Sequence, residues 1–144
     1  MALVLIGTLA ASVALAECQP GQMQEANLAY QSAQEFLVNR QWDNAIARMQ
    51  SIVQVCPEHV DATRGIGTAF VGKDMYSEAI PYFQRVVELR GDQAEAGDYA
   101  NLGKAYAKLK KYAEARAEYM KAEQLAPDDC GVLYNLGAMH NAAK

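Results

Sequence analysis

Small residues recur down this chain at a nearly fixed interval: Ala33, Gly67, Gly103 and Gly137 are separated by 34, 36 and 34 residues. A second set, Ala45, Ala79 and Ala115, keeps the same step. A period in this range belongs to a stack of like supersecondary units, none of which can bury its apolar face alone. Function in such a stack lies on an extended surface rather than in a buried cavity.

Between the small residues, apolar positions fall at three- and four-residue steps, as in Ala79, Ile80, Phe83, Val86 and Val87. That spacing makes one helical stripe. The pattern predicts helix pairs over 25–39 and 43–55, 60–72 and 77–89, and 95–108 and 112–125, with 131–143 alone. Gly67 and Gly103 are expected where the helices of a pair cross, with Ala33 doing the same less tightly. Phe36, Phe70 and Tyr106 fill the space between helices. Trp42, Tyr76 and Tyr112 pack at the turn, and Met49, Phe83 and Tyr119 complete the stripe. Pro57 and Pro127 stop their helices through a missing amide and a fixed φ, and Gly91 does so in the middle unit. The two extra residues of the 36-residue interval are expected in a loop within Asp92 to Gly97. Pro81 is read as lying in the first turn of its helix, where little hydrogen bonding is lost.

The chain has 144 residues, 51% hydrophobic and 21% charged, which suits one soluble domain. A formal charge of -4 argues against nucleic acid as a partner, because phosphate binding needs a basic face. Residues 1–16 form an uncharged, mostly apolar run closed by Ala14-Leu15-Ala16, the small-x-small pattern of a signal peptide, though no Lys or Arg precedes it. The run is shorter than the ~20 apolar residues of a membrane-spanning helix. The expectation is an exported chain, periplasmic or extracellular, with residues 17–24 as a lead-in. A membrane association is expected only through an uncleaved signal or through acylation of Cys18, which Glu17 disfavours.

Export permits disulfides, and the chain has three cysteines, Cys18, Cys56 and Cys130. In an antiparallel helix pair the approach to the first helix lies near the exit of the second, so the expected pair is Cys18 with Cys56. Cys130 is left free or bonded to a partner.

The third unit, Tyr99-Ala100-Asn101-Leu102-Gly103-Lys104-Ala105-Tyr106 followed by Tyr112-Ala113-Glu114-Ala115 and Ala126-Pro127-Asp128, resembles the tetratricopeptide repeat. The first unit diverges, with Ser32-Ala33 where Leu102-Gly103 and Leu136-Gly137 stand later. The resemblance covers residues 25–144, as repeats of about 26–59, 60–93 and 96–129 and a half repeat at 130–144. It implies an all-α fold, a right-handed α-solenoid of three helix pairs plus a single C-terminal helix that is either a cap or a truncated repeat. It also implies a concave groove, lined by the first helices, that binds a peptide or protein. The side chains assigned to that groove are Tyr30, Gln34, Arg64, Thr68, Asn101, Lys104, Lys108, Tyr134 and Asn135. The basic members suit an acidic group on an extended partner, and Asn101 and Asn135 suit its backbone. The family's carboxylate clamp for chaperone tails is missing: Tyr30, Gln34, Gly65, Gly97 and Asn101 occupy its sites.

No catalytic residues are assigned, since no nucleophile, base and orienting acid share a recognisable spacing and there is no glycine-rich phosphate loop. No cofactor or metal is assigned either. Cys56-x-x-His59 supplies two ligands at most, and Cys56 has a disulfide use. The expected role is therefore a protein-interaction module, a scaffold or assembly factor of the cell envelope. The alternative is a structural subunit of a larger assembly, joined through its terminal helix edge and Cys130.

Overall fold

The structure is a computed structural model that describes residues 18–142, with only the backbone of His140 and Ala142; the expected signal peptide at 1–16 lies outside this range. Seven α-helices follow one another: α1 (Pro20–Val38), α2 (Trp42–Val55), α3 (Val60–Gly72), α4 (Tyr76–Arg90), α5 (Ala96–Lys108), α6 (Tyr112–Leu125) and α7 (Cys130–Ala142). Each packs on its neighbours in sequence, and α1 also reaches α3. This is the contact pattern of an all-α solenoid.

The seat of the second and third pairs is a ring laid on a glycine. A Cβ added at Gly67 would meet the Phe83 ring at 2.8 Å, and one at Gly103 would meet the Tyr119 ring at 3.0 Å. Phe83 is 3% exposed and Tyr119 2%, burial of a kind that stabilises by roughly 1.5–3 kcal/mol per side chain. Two further glycines hold neighbouring repeats together. Gly65 leaves room for the Met49 sulfur, and Gly72 takes the indole of Trp42, which would lie 2.6 Å from an added Cβ. Opposite the large side chains, Ala45, Ala79 and Ala115 are fully buried, so large and small alternate across the helix faces as close packing demands.

Three turns within the pairs share one geometry. The amide of Gln41 donates to the Phe36 carbonyl (2.8 Å) and that of Arg40 to Leu37 (3.1 Å). The same two bonds recur at Met75 and Asp74 and at Lys111 and Lys110. This is the Schellman ending of a helix, and its left-handed residue is not glycine in any of them: Arg40, Asp74 and Lys110 have φ of 56°, 58° and 59°.

The turns between pairs are instead closed by side chains. His59 Nδ1 accepts from the Ala62 amide at 3.1 Å, and Asp129 Oδ1 accepts from the Val132 amide at 2.9 Å, so each caps the helix that follows. The two extra residues of the second repeat form a 3-10 turn, Gly91–Gln93, rather than an open loop, entered through Gly91 at φ 52°. Two local expectations need correction. Helix α1 begins at Pro20, not 25, because Pro20 occupies its first position, where the missing amide costs nothing. Helix α4 begins at Tyr76, so Pro81 lies in its interior, beyond the first turn, and the Ser77 carbonyl lacks its usual i+4 amide donor.

Gly137 stands in the register of Gly67 and Gly103, yet no described atom lies within 4 Å of an added Cβ. Gly67→Val is expected to lower the stability by about 2 kcal/mol through overpacking. Gly137→Ala is expected to raise it by roughly 0.5–1 kcal/mol through helix propensity alone. Urea unfolding followed by circular dichroism checks both, and equal effects at the two positions would deny the ring-on-glycine seat its role.

Candidate functional site

Tyr30 and Gln34 on α1, Arg64 and Thr68 on α3, Asn101, Lys104 and Lys108 on α5, and Tyr134 and Asn135 on α7 all come from the first helix of a repeat, as the sequence predicts. Alternate helices α1, α3, α5 and α7 thus contribute to one candidate surface. Rigid helices fix the backbone of such residues while leaving their tips adjustable.

The α1–α3 end of this set is ordered by its own contacts. The Tyr30 ring lies 5.5 Å from the His59 ring, centroid to centroid. Burial pushes the Tyr30 hydroxyl above the usual phenol range; the neighbouring Gln34 amide acts in the other direction, the Asp61 charge adds to the rise and Arg64 opposes it. Thr68 is exposed and turns its hydroxyl back onto the Arg64 carbonyl of its own helix, at 3.0 Å.

Arg64 is not a free cation. Its Nη1 pairs with Asp61 Oδ1 at 2.8 Å and its Nη2 with Asp98 Oδ1 at 3.2 Å. Asp98 is 3% exposed. Its other oxygen accepts from the Glu95 amide at 3.0 Å and lies 3.4 Å from Arg90 Nη1, which also pairs with Glu95 at 2.6 Å. One buried carboxylate thus ties α3, the end of α4 and the start of α5 together while closing the first turn of α5. The arginine charge at the middle of the surface is spent inside the molecule.

Sequence reasoning passed over Asp98 and Arg90, although a signal was present. Asp98 holds the register of Ala62 and Val132, and Arg90 that of Cys56 and Ala126. A charge at a position that is otherwise apolar or small marks a buried polar contact.

The α5–α7 end is different. Lys104 and Lys108 are exposed and have no ion-pair partner among the described residues. Tyr134 is 77% exposed, whereas Asn101 and Asn135 are half-buried. Free positive charge and an amphipathic ring therefore sit toward this end. At the clamp sites, an added Cβ at Gly97 meets no described atom, while Gly65 is closed by Met49.

The Cys56-x-x-His59 spacing serves other ends. Cys18 and Cys56 have Cα atoms 4.8 Å apart and their sulfurs at bonding distance, and the His59 ring is buried as a helix cap. Cys130 is exposed and free. Among the described residues no three His, Cys, Asp or Glu side chains gather as a metal site.

Asp98→Asn keeps the shape but leaves two guanidinium groups short of a counter-charge. The expected loss of stability is about 2 kcal/mol, below the range for a fully buried pair because both arginines are partly exposed. Urea unfolding measures it, and a loss within error of zero would reduce the network to surface ion pairs.

Comparison with known proteins places this surface in a family. Residues 30–95 match the family described as "Tetratricopeptide repeat" and residues 103–142 that described as "TPR repeat". "Protein O-mannosyl-transferase Tmtc3" of Drosophila melanogaster is 30% identical over 89 residues, which is 62% of this chain and 9% of that protein. The chain thus spans about a tenth of the length of that relative. Among solved structures, "First TPR of Spaghetti (RPAP3) bound to HSP90 peptide SRMEEVD" superposes with a TM-score of 0.78 at 18% identity, over 83% of this chain and 94% of that one. The Yersinia enterocolitica type III secretion chaperone SycD, solved with a peptide of the translocator YopD, gives 0.76 at 15% identity, over 84% and 96%. The period, the ring-on-glycine seats and the two family matches agree, and the chain belongs to the tetratricopeptide repeat family.

Proposed function

We propose that this chain is a protein-interaction module that holds an extended segment of a partner along the first-helix surface. The observation that carries this reading is the unspent chemistry of α5 and α7: Lys104, Lys108 and Tyr134 are exposed on rigid helices and Asn135 is half-exposed beside them. Peptides bound by the structural neighbours, an HSP90 peptide in one and a YopD peptide in another, support it. The transferase activity named for the Drosophila relative is not carried over, since this chain matches only a small share of that protein.

The partner's acidic group is assigned to Lys104 and Lys108 rather than to Arg64, whose charge is already compensated by Asp61 and Asp98. Tyr30 and Gln34 supply contacts at the far end, with Thr68 and Asn101 between them. Affinity from several shallow contacts of this kind is modest and depends on salt. The test is capture of partners from a native envelope extract by the wild type and by the Lys104→Glu, Lys108→Glu double variant. The expected outcome is a partner held by the wild type and lost by a variant with unchanged helicity. Equal capture by both moves the interface off this surface.

The envelope setting is part of the proposal. Residues 1–16 act as a signal peptide, and export lets Cys18 and Cys56 join, which removes Cys18 as an acylation site. Their separation of 38 residues corresponds to roughly 4 kcal/mol in the chain-entropy picture. Protein recovered from the envelope is expected to show a single titratable thiol when denatured without reductant, and Cys18→Ser to lower stability by about that amount. Three free thiols in the native material would remove the export reading.

A further inference from the structure

Each helix that follows a turn between pairs is preceded, at one register, by a polar side chain able to accept a hydrogen bond. At steps of 36 and 34 residues, that register holds His59 before α3, Glu95 before α5 and Asp129 before α7. Carboxylates keep their ionised acceptor oxygens down to about pH 4. His59 is the exception among the three, because an imidazole loses its acceptor nitrogen when it binds a proton, at about pH 6.5 in an unstructured chain.

The His59 ring is 4% exposed, and its contacts suit the neutral form. Its Nδ1 accepts from the Ala62 amide at 3.1 Å, so the ring proton is on Nε2, which has no hydrogen-bond partner among the described residues. A second proton has to enter at Nδ1, where it turns an acceptor into a donor pointed at an amide N–H. It also places a cation at the positive end of α3. The groups of the surrounding elements do not reverse this. Tyr30 of α1 offers an aromatic ring, and Cys56 at the end of α2 is joined to Cys18. In the turn, Glu58 accepts from the Cys18 amide at 3.1 Å; in α3, Asp61 pairs with Arg64, whose charge opposes another cation. Both carboxylates are exposed, so water and salt screen their pull on the ring.

The geometry points to an acid-sensitive latch between the first and second repeats: protonation of His59 breaks the cap of α3 and drives the ring from its place beside Tyr30, while the turns before α5 and α7, closed by Asp98 and Asp129, stay shut. The backbone of the turn holds as the ring leaves, because the Thr63 hydroxyl and amide both donate to the His59 carbonyl, at 3.0 and 3.1 Å. Opening is thus confined to the first turn of α3 and to Tyr30, at the α1 end of the candidate surface. Acid favours the open form, since that form binds a proton which the capped form excludes; the cap is intact above the imidazole range and is lost as pH falls through it. The latch is a property of the chain alone and stands whether or not that surface holds a partner.

The test is amide hydrogen exchange of the full chain, read by NMR one pH unit above and one below the imidazole value of about 6.5, with each rate divided by that of an unstructured peptide at the same pH. Protection of the Ala62 amide is expected to fall about tenfold at the lower pH, the ratio for a group that is protonated only in the open form. Protection of the Val132 amide, capped by Asp129, is expected to hold. In His59→Asp, which restores the carboxylate of the other two turns, Ala62 is expected to keep its protection at both pH values. His140→Gln, at the other of the two histidines of the chain, is expected to leave the wild-type fall intact. If His59→Asp does not fold, the wild-type comparison of Ala62 with Val132 still decides. Unchanged protection at Ala62, an equal fall at Ala62 and Val132, or a fall that persists in His59→Asp or vanishes in His140→Gln would overturn the inference.

Discussion

The contact on which this molecule depends is the aromatic ring lying flat on a glycine, Phe83 on Gly67 and Tyr119 on Gly103. It brings the two backbones of a pair close enough for the buried alanines Ala79 and Ala115 to pack without a void. Because each ring is held between two helices and the next helix leans on the same pair, the stack propagates one repeat at a time. Met49 shows how a repeat without the glycine adapts. With Ala33 at the crossing, the second helix presents a flexible thioether instead of a ring, and the glycine moves to Gly65 on the following helix.

Electrostatics act on top of that frame in a different way at each junction. Between the first two repeats the link is mostly apolar, with Trp42 on Gly72 and Met49 on Gly65, while Cys18 beside Cys56 ties the two ends of the first pair. Between the second and third it is ionic, with Asp98 shared by Arg64 and Arg90. A buried carboxylate between two guanidinium groups fixes register more than it adds stability, since desolvation offsets much of the attraction. Its functional consequence is indirect. By using the central arginine internally, the network leaves the lysines of α5 as the free positive charge of the concave register.

The period was the most legible part of this chain. Seven helices and their order follow from residues whose spacing is dictated by packing, and the expected crossings at Gly67 and Gly103 are where the rings lie. The left-handed turn residues were not legible, because Arg40, Asp74 and Lys110 do what glycine usually does, and nothing in their chemistry announces it. The start of α1 was hidden for a similar reason: Pro20 reads as a break until its place at the first helical position is known. The candidate surface was legible by register but not by state. Position along the repeat assigns Arg64 to the first-helix face, yet only the approach of Asp61 and Asp98 shows that its charge is taken.

That difference between register and state also sets the third repeat and α7 apart from the repeats before them. A position in the repeat specifies which way a side chain points, and its neighbours decide whether it packs, pairs or waits for a ligand. Gly67, Gly103 and Gly137 share a register, but a ring covers the first two and nothing described covers the third. Val53, Val87 and Glu123 share another, where the last exchanges an apolar wall for a charge. In both registers the departure falls at α6 and α7, next to the unpaired lysines of α5 and the exposed Tyr134. Repeats one and two spend more of their charge on holding the stack together, which leaves the unpaired lysines of the candidate surface on the third repeat.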